Sequence, residues 1–283
     1  MGRSLVLFNP LANNKHGKEG AEELKTKTND DLEFHSVLDI KDYREFFSSL
    51  MEDDKVILVG GDGTLNNFIN RTIGCKLDNP IYLSASGSGN DFLRDIEGKP
   101  GELVQINQYL KDLPTVTVNN RKYRMINGIG YGIDGYCCEV ADKIRATDSS
   151  KEINYTGIAI KGLLFHYKTT SAKITVDGKE FHFPRVWLAP TMHGRFYGGG
   201  MMPTPDQDRN TCGRTVSTMV MYGSGKLKTL MVFPKIFKGE HVKHTELCRI
   251  LRGQKITVEF DRPVAAQVDG ETILGVTSYT VEA

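Results

Sequence analysis

The chain has 283 residues, with 39% hydrophobic and 25% charged side chains and a formal net charge of +1. That length holds two domains and a sizeable core, and the balanced charge excludes a global pull towards nucleic acid. No apolar run reaches bilayer-crossing length, the run Leu5 to Phe8 is too short for a signal peptide, and five cysteines without a C-x-x-C pair read as reduced thiols in a cytoplasmic protein rather than a zinc site.

Ser4 to Phe8 reads as a strand, and Gly17 to Lys27 as a helix rich in Ala, Glu, Leu and Lys. Glu33 to Leu38 and Lys55 to Val59 are further strands, with Lys41 to Met51 helical between them. Ile81 to Ser84 is a fourth strand, and Gly101 to Leu110 is expected as helix. Such alternation implies a parallel sheet covered on both faces. Ligands of these sheets bind beyond the carboxyl ends of the strands, and the unusual loops after Phe8, Val59 and Ser84 all fall at that edge.

After Pro114 the texture changes. Thr115 to Val118, Tyr123 to Ile126, Ala172 to Val176, Phe181 to Phe183, Val186 to Ala189 and Val216 to Met221 read as strands, followed by Lys255 to Phe260, Ala265 to Val268 and Tyr279 to Val281. Asp177-Gly178 and Asp269-Gly270 are hairpin signals. Helical insertions are expected near Gly135 to Arg145, Ile153 to Phe165 and Lys226 to Phe237. The expected fold is an α/β domain over 1–115 and a mainly antiparallel β-sandwich over 116–283, leaving open a return of the last strand to the first domain.

Val56 to Asn66, VILVGGDGTLN, is the most informative stretch. A short β-branched run stops at Gly60 and Gly61, which free the backbone to turn and bare its N–H groups. Helical character from Leu65 puts the loop at a helix N-terminus, where phosphate is favoured. The first loop, Asn9 to Gly17, ends its strand with a proline and offers Asn and Lys donors, although an Asn-Pro turn is more often only a turn. In the third loop, Ser84 to Asp91, small residues allow close approach and Asn90 is placed to cap a helix starting at Asp91. Late in the chain, Gln267-Val268-Asp269-Gly270-Glu271 sets two carboxylates about a glycine. Its bland reading is a solvated turn; facing a nucleotide, such acids take a proton from an alcohol or hold Mg²⁺.

Together these pieces resemble the diacylglycerol kinase catalytic-domain family, which includes bacterial soluble lipid kinases and the sphingosine and ceramide kinases. The matching elements are Asn9-Pro10 through Gly17, Gly60 to Asn66, Gly87-Ser88-Gly89-Asn90-Asp91-Phe92, Asn127 to Asp134 (NGIGYGID), Gly198-Gly199-Gly200-Met201 and Val268 to Glu271. G-G-D-G-T alone is shared with NAD kinases and phosphofructokinases; the ordered set is more specific.

The resemblance implies ATP- and Mg-dependent phosphorylation of a lipid hydroxyl, diacylglycerol foremost, in a cleft between the two domains. By position, Asn9, Pro10, Leu11, Ala12, Asn13, then Gly60, Gly61, Asp62, Gly63, Thr64, Leu65 and Asn66, and then Ser88, Asn90 and Asp91 fall in its nucleotide site. Asp62 falls near the phosphates and metal, and Asp269 and Glu271 form the acid pair that includes the general base, with either one open as the base. One departure concerns a second, structural Mg²⁺. The family's acidic run ends in Asp-Gly, whereas here Pro205 to Arg214 has an extra residue and places Cys212 at the last Asp, leaving Asp206 and Asp208 as metal candidates.

Gly225 to His244 interleaves Leu227, Leu230, Met231, Phe233, Ile236 and Phe237 with five lysines and one acid, and Lys161 to Lys168 has a similar flavour. Such segments rest on an anionic bilayer, or pack on their own core with solvated lysines. The expected partner is a lipid alcohol at the membrane surface, with a cytoplasmic protein peripheral to the inner face. No nucleic acid and no transmembrane segment are expected, and oligomeric state is open, a homodimer included. Two alternatives stand beside the lipid kinase: an NAD kinase, and a nucleotide-binding regulatory protein without catalysis.

Overall fold

All five side chains of β1 (Ser4–Phe8) are buried, because the strand sits inside a sheet rather than at its edge. It pairs in parallel with β2 (Leu32–Ser36) and β3 (Lys55–Gly60); β4 (Ile81–Ala85) continues parallel to β3, and β5 (Leu103–Gln105) closes the edge antiparallel. The order is β2-β1-β3-β4-β5, so the chain leaves β1 on one side and returns on the other. Val6, Phe8, Ile57 and Val59 face Ala21 of α1 (Gly17–Glu22) and Leu24 just beyond it. The alternate set, Leu5, Leu7, Val56 and Leu58, is equally buried, so both faces are covered. Helices α2 (Tyr43–Ser48) and α3 (Asp62–Arg71) meet through edge-on rings, with Phe68 against Tyr43 and Phe47. This computed structural model describes residues 2–12, 16–86, 90–148, 153–210 and 214–283.

The helix expected over 101–110 is instead β5 followed by a 3-10 turn, Asn107–Leu110. Asn107 decides this: its Oδ1 accepts from Ile81 N at 2.7 Å and its Nδ2 donates to Asn79 O at 2.9 Å. Those bonds to the start of β4 draw the segment to the sheet edge, a long-range gain that local helix propensity does not match.

Contacts divide the chain into Met1–Leu113 and Pro114–Ala283. The second unit is a ten-stranded antiparallel system built on two long strands, β14 (Lys255–Val268) and β15 (Glu271–Glu282). Residues 256–260 of β14 pair with β9 (Thr170–Val176), while 266–268 pair with β8 (Gly128–Tyr131), and the register shifts between Glu259 and Val264. A strand that changes partners along its length turns the corner of a sandwich. Tyr131 stacks on Phe260 in the core and meets Tyr279 edge-on; both hydroxyls donate to backbone carbonyls, of Val276 and Ala189. The last strand, left open by the sequence, pairs with β14 and β6 (Thr115–Val118) inside this unit.

The two D-G turns form as the sequence implies: Asp177, Gly178, Asp269 and Gly270 all have positive φ. The expected helical insertions appear as α5 (Ile133–Thr147), α6 (Tyr155–Lys161) with a π turn to His166, and α7 (Lys226–Val232) with a 3-10 extension to Lys238. Strands β8 and β13 (Cys248–Gly253) carry no clear strand pattern in the sequence, because glycines at 128 and 130 and arginines at 249 and 252 hide their alternation. Among the described residues no helix is long and apolar enough to cross a membrane.

A Cβ at Gly135 would lie 1.9 Å from the Ala265 carbonyl oxygen, a backbone atom that cannot step aside. Gly135→Ala should therefore lower stability by about 3 kcal/mol, read as a fall in the urea midpoint. In the first unit, the buried Asp54 carboxylate accepts from Arg3 Nη2 at 2.7 Å, Arg3 N at 2.9 Å and Met51 N at 3.0 Å. The Arg3 side-chain bond foremost holds its pKa at about 2, below the ordinary 3.8. Because the folded value is depressed, this stabilisation is present above the ordinary value and is lost as pH falls towards 2. Asp54→Asn should flatten the acid limb of the stability curve across that window.

Candidate active site

Strand β3 runs straight into the glycine loop. A Cβ on Gly60 would sit 2.3 Å from Thr64 Oγ1 and 2.5 Å from Thr64 Cβ, so only glycine lets the buried Thr64 fold back over the strand end. Gly61 is the N-cap of α3 and brings no side-chain cap; the first loop-closing bond is Leu65 N to Gly61 O at 3.1 Å. The N–H groups of the first turn have no acceptor within the helix. Gly63 is exposed, with nothing within 4 Å of where its Cβ would lie. A ten-residue helix thus points its positive end into open space beside bare backbone, which suits a phosphate. Gly61, Asp62 and Gly63 reach the surface there, whereas Thr64, Leu65 and Asn66 are buried and hold the loop from behind.

Asp62 links this loop to the next. Its Oδ2 accepts from Asp91 N at 2.8 Å and its Oδ1 from Phe92 N at 3.0 Å. These are the first amides of α4 (Asp91–Asp95), so the helix begins where expected but its cap differs. Asn90 adopts φ 45°, ψ 41° and makes no side-chain cap bond, since the left-handed conformation is not the extended one from which an N-cap side chain reaches forward. Asp62 caps from across the site. Asp91 itself is buried.

The first loop is fixed by Asn9, whose Oδ1 accepts from Leu11 N and whose carbonyl accepts from Ala12 N, each at 3.0 Å. Pro10 and Ala12 are half-buried and Leu11 is exposed. The start of α1 lies so close that a Cβ on Gly17 would fall 1.9 Å from the Asn9 carbonyl oxygen. Ser86 N donates to Gly60 O at 3.3 Å, and Gly20 of α1 faces the Ser86 side chain. All three loops therefore gather at the carboxyl edge, beside the β1/β3 point where the strand order reverses. Asn13 and Ser88 lie outside the described residues.

In the second unit the acid pair divides. Asp269 is buried, and its carboxylate accepts from Ile126 N at 2.7 Å, Asn127 N at 2.8 Å and Gly128 N at 2.9 Å. A carboxylate holding three amide hydrogens is fixed in place. Glu271, across the turn and paired with Val268, is exposed. Gln267, buried on the other side, accepts from Gly270 N at 2.6 Å and braces the turn. Arg209 donates to Ile126 O at 3.1 Å and Asn127 Oδ1 at 3.2 Å, at the same strand start that Asp269 grips. Gln267 and Arg209 carry no local signal that marks them out in the sequence.

Asp206 and Asp208 are exposed on a loop anchored by buried Gln207, which bonds Thr215 O and Ser217 Oγ; Asp208 Oδ1 accepts from Asn210 N. Among the described residues no group of three or more His, Cys, Asp and Glu is placed to hold a metal ion, and Cys212 lies outside them.

Two family models match this chain in succession. The diacylglycerol kinase catalytic domain covers residues 3–119, and the YegS C-terminal NAD kinase beta sandwich-like domain covers 127–283. The chain belongs to the diacylglycerol kinase catalytic-domain family. A Mycobacterium tuberculosis protein named diacylglycerol kinase is 26% identical over 261 residues, spanning 87% of this chain and 82% of its own. A Staphylococcus aureus protein with a provisional lipid kinase name is 26% identical over 240 residues, spanning 78% of this chain and 72% of its own. In fold, a crystal structure of a Bacillus anthracis protein provisionally named diacylglycerol kinase superposes with a TM-score of 0.69 at 20% identity, over 99% of this chain and 91% of that one.

The divided acid pair predicts divided phenotypes. Asp269→Ala strips three buried amides of their acceptor and should cost on the order of 3 kcal/mol in thermal or urea unfolding. Glu271→Ala, at an exposed position, should leave the unfolding midpoint nearly unmoved.

Proposed function

We propose that this chain is an ATP- and magnesium-dependent lipid kinase that transfers the γ-phosphate to a lipid hydroxyl, with diacylglycerol the leading substrate and phosphatidic acid the product. The observation that carries the reading is the division of the acid turn: Asp269 is locked by backbone amides, while Glu271 is presented to solvent beside it. A general base must come within hydrogen-bond reach of the proton it takes, and an accessible carboxylate on a braced turn can do so.

The first unit supplies phosphate binding. The N-terminus of α3, with open space where a side chain on Gly63 would stand, is a cradle suited to a nucleoside triphosphate. Asn9 and the loop it organises, with Asn90 and Asp91 behind Asp62, complete the proposed nucleotide site. Magnesium prefers carboxylate oxygens. Asp62 is a carboxylate at the mouth of this loop, fixed by the Asp91 and Phe92 amides, which makes it the proposed contact for the nucleotide's metal. When bound, that ion would neutralise charge on the phosphates. Asp206 and Asp208 are the proposed ligands of a second, weaker site.

In the proposed reaction Glu271 takes the proton of the lipid hydroxyl as its oxygen bonds the γ-phosphorus. The bond to the β,γ-bridging oxygen breaks, and ADP leaves. Asp269, Gln267 and Arg209 hold the turn and strand start and are positioning residues rather than participants.

The test measures transfer from ATP to diacylglycerol in mixed micelles, with NAD offered in parallel. Glu271→Gln should lower turnover by about a thousandfold with nucleotide binding unchanged. Full activity in that variant would remove Glu271 as base. Phosphorylation of NAD in place of the lipid would move the chain to the NAD kinase reading, and nucleotide binding without transfer to either would favour a regulatory protein.

A further inference from the structure

Helix α7 and its extension are apolar on two sides. Val232, Phe233 and Ile236 turn inward and join Ile133, Leu163, Trp187 and Met219 in a core cluster. Packing of an amphipathic helix on its own core accounts for these residues. It does not account for Leu227 and Met231, one turn apart on the outer side, which are 74% and 68% exposed. Phe165, in the turn after α6, is 73% exposed, and Lys226 Nζ donates to the adjoining Leu164 O at 2.7 Å, tying the two segments together. These are the three most exposed large apolar side chains among the described residues. Phe237 is also exposed on the extension.

Along both segments the charge is of one sign, and the acid that reaches this face from outside them is Glu246, paired with Lys228 at 3.1 Å. Lys161 and Lys168 flank Phe165, and Lys226, Lys228 and Lys238 flank the α7 residues; all five are exposed. No Asp or Glu occurs from 155 to 168 or from 225 to 239. With a net charge of only +1 over the whole chain, this clustering is local. Apolar side chains standing out of a lysine collar match a surface with negative headgroups over an apolar interior.

We propose that Phe165, Leu227 and Met231, collared by these lysines, dock the protein on an anionic phospholipid bilayer. The apolar side chains enter the boundary between headgroups and acyl chains while the lysines stay at headgroup level. This deepens the lipid-kinase reading by naming the surface from which the substrate is drawn, and it rests on that reading only for its purpose.

The experiment is sedimentation of the intact chain with vesicles of phosphatidylcholine alone or mixed with phosphatidylglycerol, without nucleotide. Binding should need phosphatidylglycerol and weaken with salt. The triple variant Phe165→Ser, Leu227→Ser, Met231→Ser should bind at least about tenfold more weakly, and Lys161→Gln with Lys238→Gln should cost about fivefold for each lysine. The chain's single tryptophan, Trp187, is buried, so Leu227→Trp gives an independent readout, a blue shift on adding anionic vesicles. No vesicle binding by the parent chain, binding indifferent to phosphatidylglycerol, or full binding by the triple variant would each overturn the proposal. So would concentration-dependent dimerisation lost in the triple variant without vesicle binding, since the face would then belong to a second copy. Transfer to diacylglycerol dispersed in detergent needs no docking, so its survival in the triple variant separates failure of this proposal from failure of the kinase reading.

Discussion

The Asp269 carboxylate collects amide hydrogens from Ile126, Asn127 and Gly128, which lie 141 to 143 positions earlier in the chain. That bond set fixes where the β14–β15 turn ends relative to β8, and so fixes where Glu271 is displayed. Gly128 completes the exchange by accepting from Asp269 N at 3.0 Å. Asp62 performs the same service in the first unit, carrying the amides of Asp91 and Phe92. Charge-assisted bonds from a carboxylate to backbone N–H are among the stronger polar contacts. They do not depend on the identity of the residues that donate, so a loop held this way keeps its shape whatever side chains it carries.

The architecture was legible because it is written in local patterns. The apolar run Val56 to Val59 stopping at two glycines, and the D-G pairs at 177 and 269, each encode a backbone path within a few residues. The site's division of labour is not local. Asp269 and Glu271 look alike in sequence, and only the amides of residues 126–128 separate the anchored acid from the exposed one. Asn90 carries the local signature of a cap, yet Asp62 from another loop does the capping. The segment 101–110 reads as helix until Asn107 is seen bonded to Ile81 and Asn79. In each case a bond spanning many residues outweighs a short-range preference.

The glycines of the NGIGYGIDG stretch illustrate the converse. They resemble a second phosphate loop, but a Cβ on Gly132 would lie 2.6 Å from the Trp187 carbonyl oxygen, and one on Gly130 would strike Asp134 and Gln267. Their smallness lets α5 and β8 sit against neighbouring backbone, which is a packing requirement rather than an anion site.

Asp134 shows what such close packing does to an ionisable group. It stands in the first turn of α5, buried, with Oδ1 accepting from Gly135 N at 3.0 Å. Among the described residues its Oδ2 completes no hydrogen bond, although the buried Tyr197 hydroxyl lies close by. Desolvation is the dominant cause and lifts its pKa to about 6, against the opposing pull of the Gly135 amide. The folded value is raised, so its contribution to stability is greatest at acid pH and falls as the pH climbs from the ordinary 3.8 through about 6. Asp54 in the first unit has the opposite dependence, since bonds to Arg3 outweigh its burial. Two buried aspartates thus titrate in opposite directions for one reason: burial raises a carboxyl group unless enough donors are aimed at it. The same count separates the acids of the proposed site, where Asp269 has three amides and Glu271 is left to water. A base must keep a lone pair for the incoming proton, which is why Glu271 rather than Asp269 is the proposed base.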